Sequence, residues 1–559
     1  MADRAIYDSA RPGDAQRRGA NPFFRRNAED SLKDPIGGLA IAAVAAAMTA
    51  LLYEFVAAAP GLWPCGLLAP LPMLAIAPEI RTARAAQLAF LAFLVGNLVA
   101  WGGEGLSVPL IDMLASHLAG AVVFAAFVAC AAEATRRWSG WLAALVFPTL
   151  EVAFYFTLST ESPHGTWGSP AYSQVGFIAL LQTTSWLGLC GVGFVMSLLP
   201  SGLAVAWYRS RWNMDGLHPA LMSLTIFALA LIFGWTRLIV TPTTPIVRVA
   251  MVASENLIPE SESIDPADAA DILGHYAALI RQAAKSGAQI VVMPEKSIGV
   301  APSYEWDVVL GLQRVAQMSR VWLVVGLNQI GRTPKRNIAV VFAPDGKIAA
   351  SYAKHHLIPS LEWDYKAGSK PAIFDAPWGR TAVLISQDLD FPETARELAA
   401  HDVLLVVAPA SDWQGSEVIH QRMAVVRAVE SGFSLVRAAR GGMLSANDSR
   451  GRQIVASEPV NGEDMMATAD LPIGTGPTLY SRTDDWFGRL CQVFAILLLL
   501  LLAVTIWYSM EMRRRGAAKR IKRPQGVVSV EVNQSEQEQE KEEGASEERI
   551  YRPPAGPRE

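Results

Sequence analysis

The chain has 559 residues, 51% of them hydrophobic, with a mean hydropathy of +0.25 and a formal net charge of −4. That length and apolarity exclude a single soluble domain and require membrane spans. The net charge decides little, because it sums a basic membrane flank and an acidic tail, and no nucleic-acid partner is expected.

Apolar stretches of about 20 residues, the length that crosses a bilayer, lie near 35–58, 62–79, 84–103, 108–133, 140–158, 176–207 and 219–240, with an eighth near 487–510. The first lacks a small-residue cleavage site and reads as a permanent anchor. Lys and Arg collect in short cytoplasmic loops, and here they fill every second connection: Arg25, Arg26 and Lys33, then Arg81 and Arg84, Arg136 and Arg137, Arg209 and Arg211. The intervening loops carry Glu104, Asp112 and Glu161 and no basic residue. This alternation places the N-terminus inside and residues 242–485 outside. The last span returns the chain to a run that includes Arg513, Arg514, Arg515, Lys519, Arg520, Lys522 and Arg523. The expected organisation is a cytoplasmic segment 1–34, a membrane domain 35–241 of about seven helices, an external domain 242–485, a last span 486–510 and a cytoplasmic tail 511–559. From about residue 527 the tail is rich in Glu, Gln and Ser and cannot bury a core.

All four cysteines, Cys65, Cys130, Cys190 and Cys491, fall in or beside the spans. The external domain therefore has no thiol for a disulfide, a thiolate metal site or a nucleophile.

Within the external domain, short β-rich runs alternate with helical ones. Strands are predicted at 247–252, 289–293, 321–327, 338–342, 382–386, 403–407 and 433–436, and helices at 265–286, 303–319, 391–400 and 415–430. Pro344-Asp345-Gly346-Lys347 reads as a turn between two strands. The alternation predicts an α/β layered domain around one core.

Strand C-termini in such sheets face a crevice where sites form. Glu295 follows the apolar run Ile290–Met293 and Pro294, and Ser386 closes Ala382–Ile385. Lys354 stands in Tyr352-Ala353-Lys354-His355-His356, with Glu362 eight residues on. A lone lysine or strand-end glutamate is usually a solvated charge. Two strand-end candidates flanking a lysine make an acyl-transfer site, in which a lysine kept protonated by carboxylates stabilises a developing oxyanion. His355 and His356 lack the cysteine or carboxylate spacing of a zinc site, so no cofactor or metal is implied. Glu151, an acid inside the fifth stretch, is a candidate for function or structure, and His117 reads as a helix-packing residue. A transporter is poorly supported, since the spans show few internal charges and no repeat.

Met293-Pro294-Glu295, then Lys354-His355-His356-Leu357-Ile358-Pro359 with Glu362, then a strand ending in nucleophile-x-acid, resembles the carbon–nitrogen hydrolase (nitrilase) superfamily with its Glu–Lys–Cys triad. The Lys-His-His-Leu-x-Pro segment and the seven-plus-one spans resemble the apolipoprotein N-acyltransferase family within it. Trp167, the segment Ala171-Tyr172-Ser173-Gln174, Trp413, and the helix with His420, Gln421, Met423, Arg427, Ala428 and Glu430 leading to Arg437 extend the likeness over about residues 35–510. The resemblance implies a nitrilase-like α-β-β-α sandwich outside a bundle of about eight helices in a bacterial inner membrane, the sandwich periplasmic and both termini cytoplasmic. It implies acyl transfer from a membrane phospholipid to the N-terminal amine of a lipidated protein. Glu295 would be the base, Lys354 the oxyanion stabiliser, Glu362 a supporting carboxylate and Ser386 the nucleophile. Asp388, Trp413, Trp167 and Tyr172 would line the substrate site.

Two features depart from that pattern. Ser386 stands where the family has Cys, and a hydroxyl must lose its proton to a well-placed base during attack. The segment Ser254-Glu255-Asn256-Leu257-Ile258-Pro259 supplies none of the aromatic residues the family shows there. Reduced or absent activity is the expectation. The alternative is an inactive relative that binds lipid or lipoprotein.

Overall fold

The computed structural model describes residues 35–521, except 59–61, 102–109, 213, 241, 258–262, 360, 413, 414 and 459–461. Trp413, Glu104, the basic residues before residue 34 and the tail from 522 lie outside them. The described residues up to Leu499 form one compact unit, and the last helix, Trp486–Ile521, runs on past it.

Among the described residues, five helices are long and apolar enough to cross a membrane: Leu114–Arg137, Gly140–Glu161, Thr184–Arg211, Leu217–Ile239 and Trp486–Arg515. Pro35–Ala58 and Thr82–Trp101 are further apolar helices that pack on each other. The predicted stretch 62–79 forms two pieces, Trp63–Leu68 and Leu71–Ile76, followed by a 3-10 turn at Ala77–Glu79. Pro70 and Pro72 supply no N–H, so the helical ladder lapses between the pieces. The segment still runs the length of the bundle. Gln174 Nε2 donates to Trp63 O at one end (3.0 Å), and Arg136 donates to Ala77 O (2.9 Å) and Pro78 O (3.0 Å) at the other. The basic connections gather at that second end, where Arg209 donates to Trp138 O and Arg211 faces Glu79. His117 and Glu151 are buried in the bundle, Glu151 accepting from Ser197.

Beyond Pro245 two sheets stack. One runs, in order, Asp464–Pro472, Ile246–Ser254, Ile290–Val292, Trp322–Gln329, Arg336–Phe342 and Ile348–Ala353, with Ile298–Val300 also paired to Trp322–Gln329. The other runs Gln453–Ser457, Leu444–Asn447, Ser434–Arg440, Leu405–Ser411, Gly379–Val383 and Ala372–Ala376. Their central strands are parallel and buried on both faces, which is why they read as continuous apolar runs. Inward side chains such as Val249, Met251, Val324, Val341, Val383 and Leu405 form the core between them. Pro266–Lys285 and Glu305–Ser319 cover the outer face of the first sheet, their apolar stripes meeting Val252, Val291 and Leu323. Pro392–Ala400 and Glu417–Ser431 lie against the second sheet, completing four layers, α-β-β-α.

Glu417–Ser431 is buried throughout from His420 to Ser431, because it has protein on two sides. Ala424 and Ala428 face the sheet, while Met423, Val425, Val426 and Val429 pack against Tyr172, Leu181, Leu189 and Val192 of the membrane part. A polar contact crosses the same joint. Gly188, at φ +67°, interrupts the helix Thr184–Arg211, and a Cβ there would come within 2.4 Å of the Tyr480 ring. The interruption frees the Leu189 amide, which donates to Glu430 Oε1 at 2.6 Å.

Candidate active site

Three chain segments meet at the C-terminal ends of the parallel strands. Ile290–Val292 delivers Glu295, and its amide donates to Ala410 O of the opposite sheet (3.1 Å). Ile348–Ala353 delivers Lys354, whose amide donates to Asn337 O (2.9 Å). The second sheet delivers Ser386. The predicted strand 382–386 stops at Val383, and Ser386–Asp390 is a 3-10 turn in which Ser386 adopts φ +45°. A left-handed serine is a strained conformation that its surroundings must enforce.

Lys354 is 1% exposed, and its Nζ lies 2.9 Å from both Glu295 Oε1 and Glu362 Oε2. Glu362 Oε1 meets Lys296 Nζ at 2.7 Å, and Asn337 Nδ2 bridges the two carboxylates, 2.5 Å from Glu295 Oε1 and 2.9 Å from Glu362 Oε1. Ile358 N adds a bond to Glu362 Oε2 (3.0 Å). Two carboxylates and two ammonium groups thus balance in a buried cluster. Burial alone would lower the Lys354 ammonium, but Glu295 and Glu362 outweigh it and hold the group above the ordinary lysine value. Burial likewise works to raise Glu362, but Lys354 and Lys296 bring it down to about 2. The protein donors to Glu295 all reach Oε1, and among the described residues Oε2 takes none.

Ser386 is 7% exposed, and its hydroxyl donates to Ser411 O at 3.5 Å, one residue beyond the carbonyl that holds the Glu295 amide. Asp388, fully buried, fixes the turn. Its Oδ2 accepts from Ile385 N (3.1 Å) and Tyr352 OH (2.9 Å), and its Oδ1 from His355 N (3.2 Å) and His356 N (2.8 Å). Through these contacts Asp388 ties the Ser386 turn to the Lys354 segment. His356 also stacks on Phe391 at 3.6 Å between centroids.

Of the remaining candidates, Trp167 lies against the His420 ring (4.9 Å between centroids). His420 in turn faces Asp412, which takes both guanidinium nitrogens of Arg437. Tyr172 is buried behind this layer, its hydroxyl 2.6 Å from Thr166 Oγ1 and 3.2 Å from Arg427 Nη2. Its hydroxyl is taken up by these contacts at the joint. Trp413 follows Asp412 directly in sequence and lies outside the described residues. Glu255, in the segment that lacks an aromatic residue, accepts from Gly441 N (2.7 Å).

Sequence reasoning missed Lys296, Asn337 and Asp412, and named Tyr352, His420 and Arg437 without giving them these contacts. Asn337 and Asp412 carried a faint signal, as polar residues bordering apolar strands. Lys296 carried none beyond its adjacency to Glu295.

The comparisons with known proteins cover both parts of the chain. The family model of the apolipoprotein N-acyltransferase N-terminal domain matches residues 45–202, and that of the carbon-nitrogen hydrolases matches residues 248–461. An apolipoprotein N-acyltransferase of Geobacter metallireducens is 26% identical over 424 residues, 69% of this chain and 78% of that one. One from Shewanella oneidensis is 25% identical over 400 residues, 65% and 73% of the two chains. A nitrilase of Pyrococcus abyssi is 28% identical over 231 residues, 39% of this chain and 87% of its own. With a helical membrane part joined to an α-β-β-α sandwich, the chain is a multi-pass, N-acyltransferase-like membrane protein that belongs to the apolipoprotein N-acyltransferase family of the carbon–nitrogen hydrolase superfamily.

Proposed function

We propose that this protein transfers a fatty acyl group from a membrane phospholipid to the N-terminal amine of a lipidated protein, through an ester on Ser386. The observation that carries the reading is the meeting of a buried Glu295–Lys354–Glu362 cluster with a serine in a left-handed turn, beside a membrane bundle.

In the first step the Ser386 hydroxyl oxygen attacks the donor's ester carbonyl, and its proton passes to Glu295 through the free Oε2. Lys354, charged because two carboxylates hold it so, faces the negative oxygen of the tetrahedral intermediate. Collapse breaks the bond to the lysophospholipid, whose alkoxide takes the proton back from Glu295. In the second step the acceptor amine attacks the Ser386 ester and gives up a proton to Glu295. The amide forms, and Ser386 regains its hydrogen. Glu362 and Lys296 act by fixing Lys354 and balancing its charge. A hydroxyl has little anionic character near neutrality, so the step depends more heavily on Glu295 than it would with a thiol. Slow turnover follows.

The sandwich is read as periplasmic and both termini as cytoplasmic, in a bacterial inner membrane. The support is the alternation of basic connections, which gather at the end of the bundle away from the sheets. Such placement keeps both acylated substrates in the bilayer during transfer.

The test is to incubate the full-length protein in lipid nanodiscs with acyl-labelled phospholipid and analyse the Ser386 peptide by mass spectrometry. An ester-linked acyl group, lost in Ser386→Ala and discharged by an added lipopeptide amine, is expected. Acyl capture by Ser386→Cys with none by the native protein would instead assign a binding role.

A further inference from the structure

The turn that carries Ser386 is held from two sides. On the domain side Asp388 closes it, as described above. On the other side stands residues 162–169 of the membrane part, between the helix Val146–Glu161 and the 3-10 turn Pro170–Gly176. Gln387, the residue after Ser386, donates from Nε2 to Pro163 O at 2.9 Å. Asp390 O, at the end of the same turn, accepts from both Thr166 N (3.0 Å) and Thr166 Oγ1 (2.7 Å). Gly165 lies so close that a Cβ there would stand 2.5 Å from Asp390 O, and its φ of +54° independently favours glycine. Thr166 is itself anchored through Tyr172 to Arg427. Gln387 and Thr166 are both buried, so each bond is made out of water and is costly to lose.

We propose that Gln387 and Thr166 are positioning residues for Ser386: the membrane part, through residues 163–166, holds the nucleophile turn in its left-handed conformation against the Glu295–Lys354 cluster. A serine at positive φ relaxes unless surrounding bonds prevent it. Here the bonds on one side come from a segment 224 residues away in the chain. Burial of the turn by the sandwich alone leaves Gln387 Nε2 and Asp390 O without these partners. The consequence is that the reactive geometry belongs to the joined molecule, and loosening the joint misplaces the nucleophile without touching a catalytic group. The proposal rests on the reading of Ser386 as the acyl acceptor, so its test uses a readout that needs no turnover.

The external domain has no cysteine, so Ser386→Cys in the full-length protein in nanodiscs provides a thiol that a charged, membrane-impermeant alkylating reagent reports selectively. Into this background go Gln387→Met and Thr166→Val, which keep side-chain volume and remove the donors, and Thr166→Ser, which restores the hydroxyl. In the parent, a thiol beside Lys354 alkylates with a pH midpoint below the ordinary value of about 8.5. In Gln387→Met and Thr166→Val the midpoint moves up towards that value, and the rate at pH 7 falls by roughly tenfold for each unit the midpoint rises, because the thiolate fraction falls with it. Thr166→Ser returns both to the parent. An unchanged pH profile in both donor-lacking variants, with thermal stability unchanged, overturns the proposal. So does an equal change in Thr166→Ser. Acyl capture from labelled phospholipid, measured on the native Ser386 protein, addresses the function separately. Absence of capture there with a shifted alkylation profile in the variants leaves the positioning role standing and removes the acyl-transfer reading.

Discussion

The two sides of the Ser386 turn treat buried carboxylates in opposite ways. On the Lys354 side Glu362 is held at about 2, because Lys354 and Lys296 overcome its burial. For Asp390 and Glu430, on the side facing the membrane part, burial dominates and pushes them up to about 6 and about 7, although Arg427 Nη1 lies 2.8 Å from Glu430 Oε2. The first region is assembled to carry charge, with each carboxylate in direct contact with an ammonium group. The second is assembled to pack: Glu430 accepts from the Leu189 amide and pairs with Arg427, while Asp390 holds the joint through its backbone carbonyl. A site that must keep a cation and a base charged in a dry place needs the first kind of surroundings. A site that must hold a turn still needs the second.

The largest way to break the contrast is Lys354→Met. Removing one member of a buried ion cluster leaves Glu295 and Glu362 uncompensated, with only Lys296 remaining for the pair. The expected cost is about 3–5 kcal/mol, seen as a large drop in thermal midpoint together with loss of acyl capture. Adding Glu362→Gln removes the excess charge and recovers much of the stability but no capture. A Lys354→Met protein as stable as the parent would show that the cluster is not an obligate set of charges.

Next in size is Asp388→Asn. Five protein groups converge on this carboxylate, Ile385 N and Tyr352 OH at Oδ2 and His355 N, His356 N and His356 Nδ1 at Oδ1. An amide can accept at one end only and turns its NH2 towards the donors at the other. The expected loss is about 1–3 kcal/mol, accompanied by loss of acyl capture because the turn and the Lys354 segment separate. Thermal unfolding and the Ser386 mass-spectrometric assay measure the two effects independently.

A smaller effect separates the regions by pH. Glu362, depressed from 4.5 to about 2, contributes stability that is present above pH 4.5 and is lost as pH falls through about 2. Asp390, raised from 3.8 to about 6, works the other way: its ionisation opposes folding above pH 6, and that cost disappears as pH falls towards 3.8. Asp390→Asn therefore gains stability relative to the parent at pH 7.5 and loses that advantage by pH 4. Glu362→Gln loses stability at pH 7.5, and the difference narrows as pH falls from 4.5 to 2. Thermal midpoints across pH 2–8 for the three proteins check both signs. Parallel curves would mean that the two environments do not differ.

Much of this contrast was hidden from sequence for a physical reason. The apolar helices, the central strands and their terminal residues Glu295 and Lys354 are legible because hydrophobic period and strand ends are local signals. Glu362 was found through the spacing of a resembling motif. Lys296 looks like any exposed lysine until its positive φ turns it onto Glu362 and over the Tyr365 ring, 4.4 Å from the centroid. The bonds from Thr166 and Gln387 join segments with no shared periodicity. Ser386 was read as the end of a strand because Leu384 and Ile385 are apolar. They are buried, but the ladder with Leu405–Ser411 stops at Val383, and the side chain of Asp388 takes over the hydrogen bonding.

The smallest effect bears most directly on how the turn is held. At φ +45° a serine carries a backbone cost of about 1–2 kcal/mol relative to the right-handed region, and glycine does not. Ser386→Ala removes the hydroxyl and its long bond to Ser411 O while keeping the Cβ that makes the conformation costly. Ser386→Gly removes both. In the free chain glycine also gains flexibility, which offsets part of the benefit by roughly 0.5–1 kcal/mol. The net expectation is a Ser386→Gly protein about 0.5–1 kcal/mol more stable than Ser386→Ala, both without acyl capture. Because the two variants lack the same hydroxyl, their difference isolates the backbone. If Ser386→Ala is equally stable, the turn has relaxed in both, and the bonds from Asp388 on one side and from Thr166 and Gln387 on the other do not enforce its conformation.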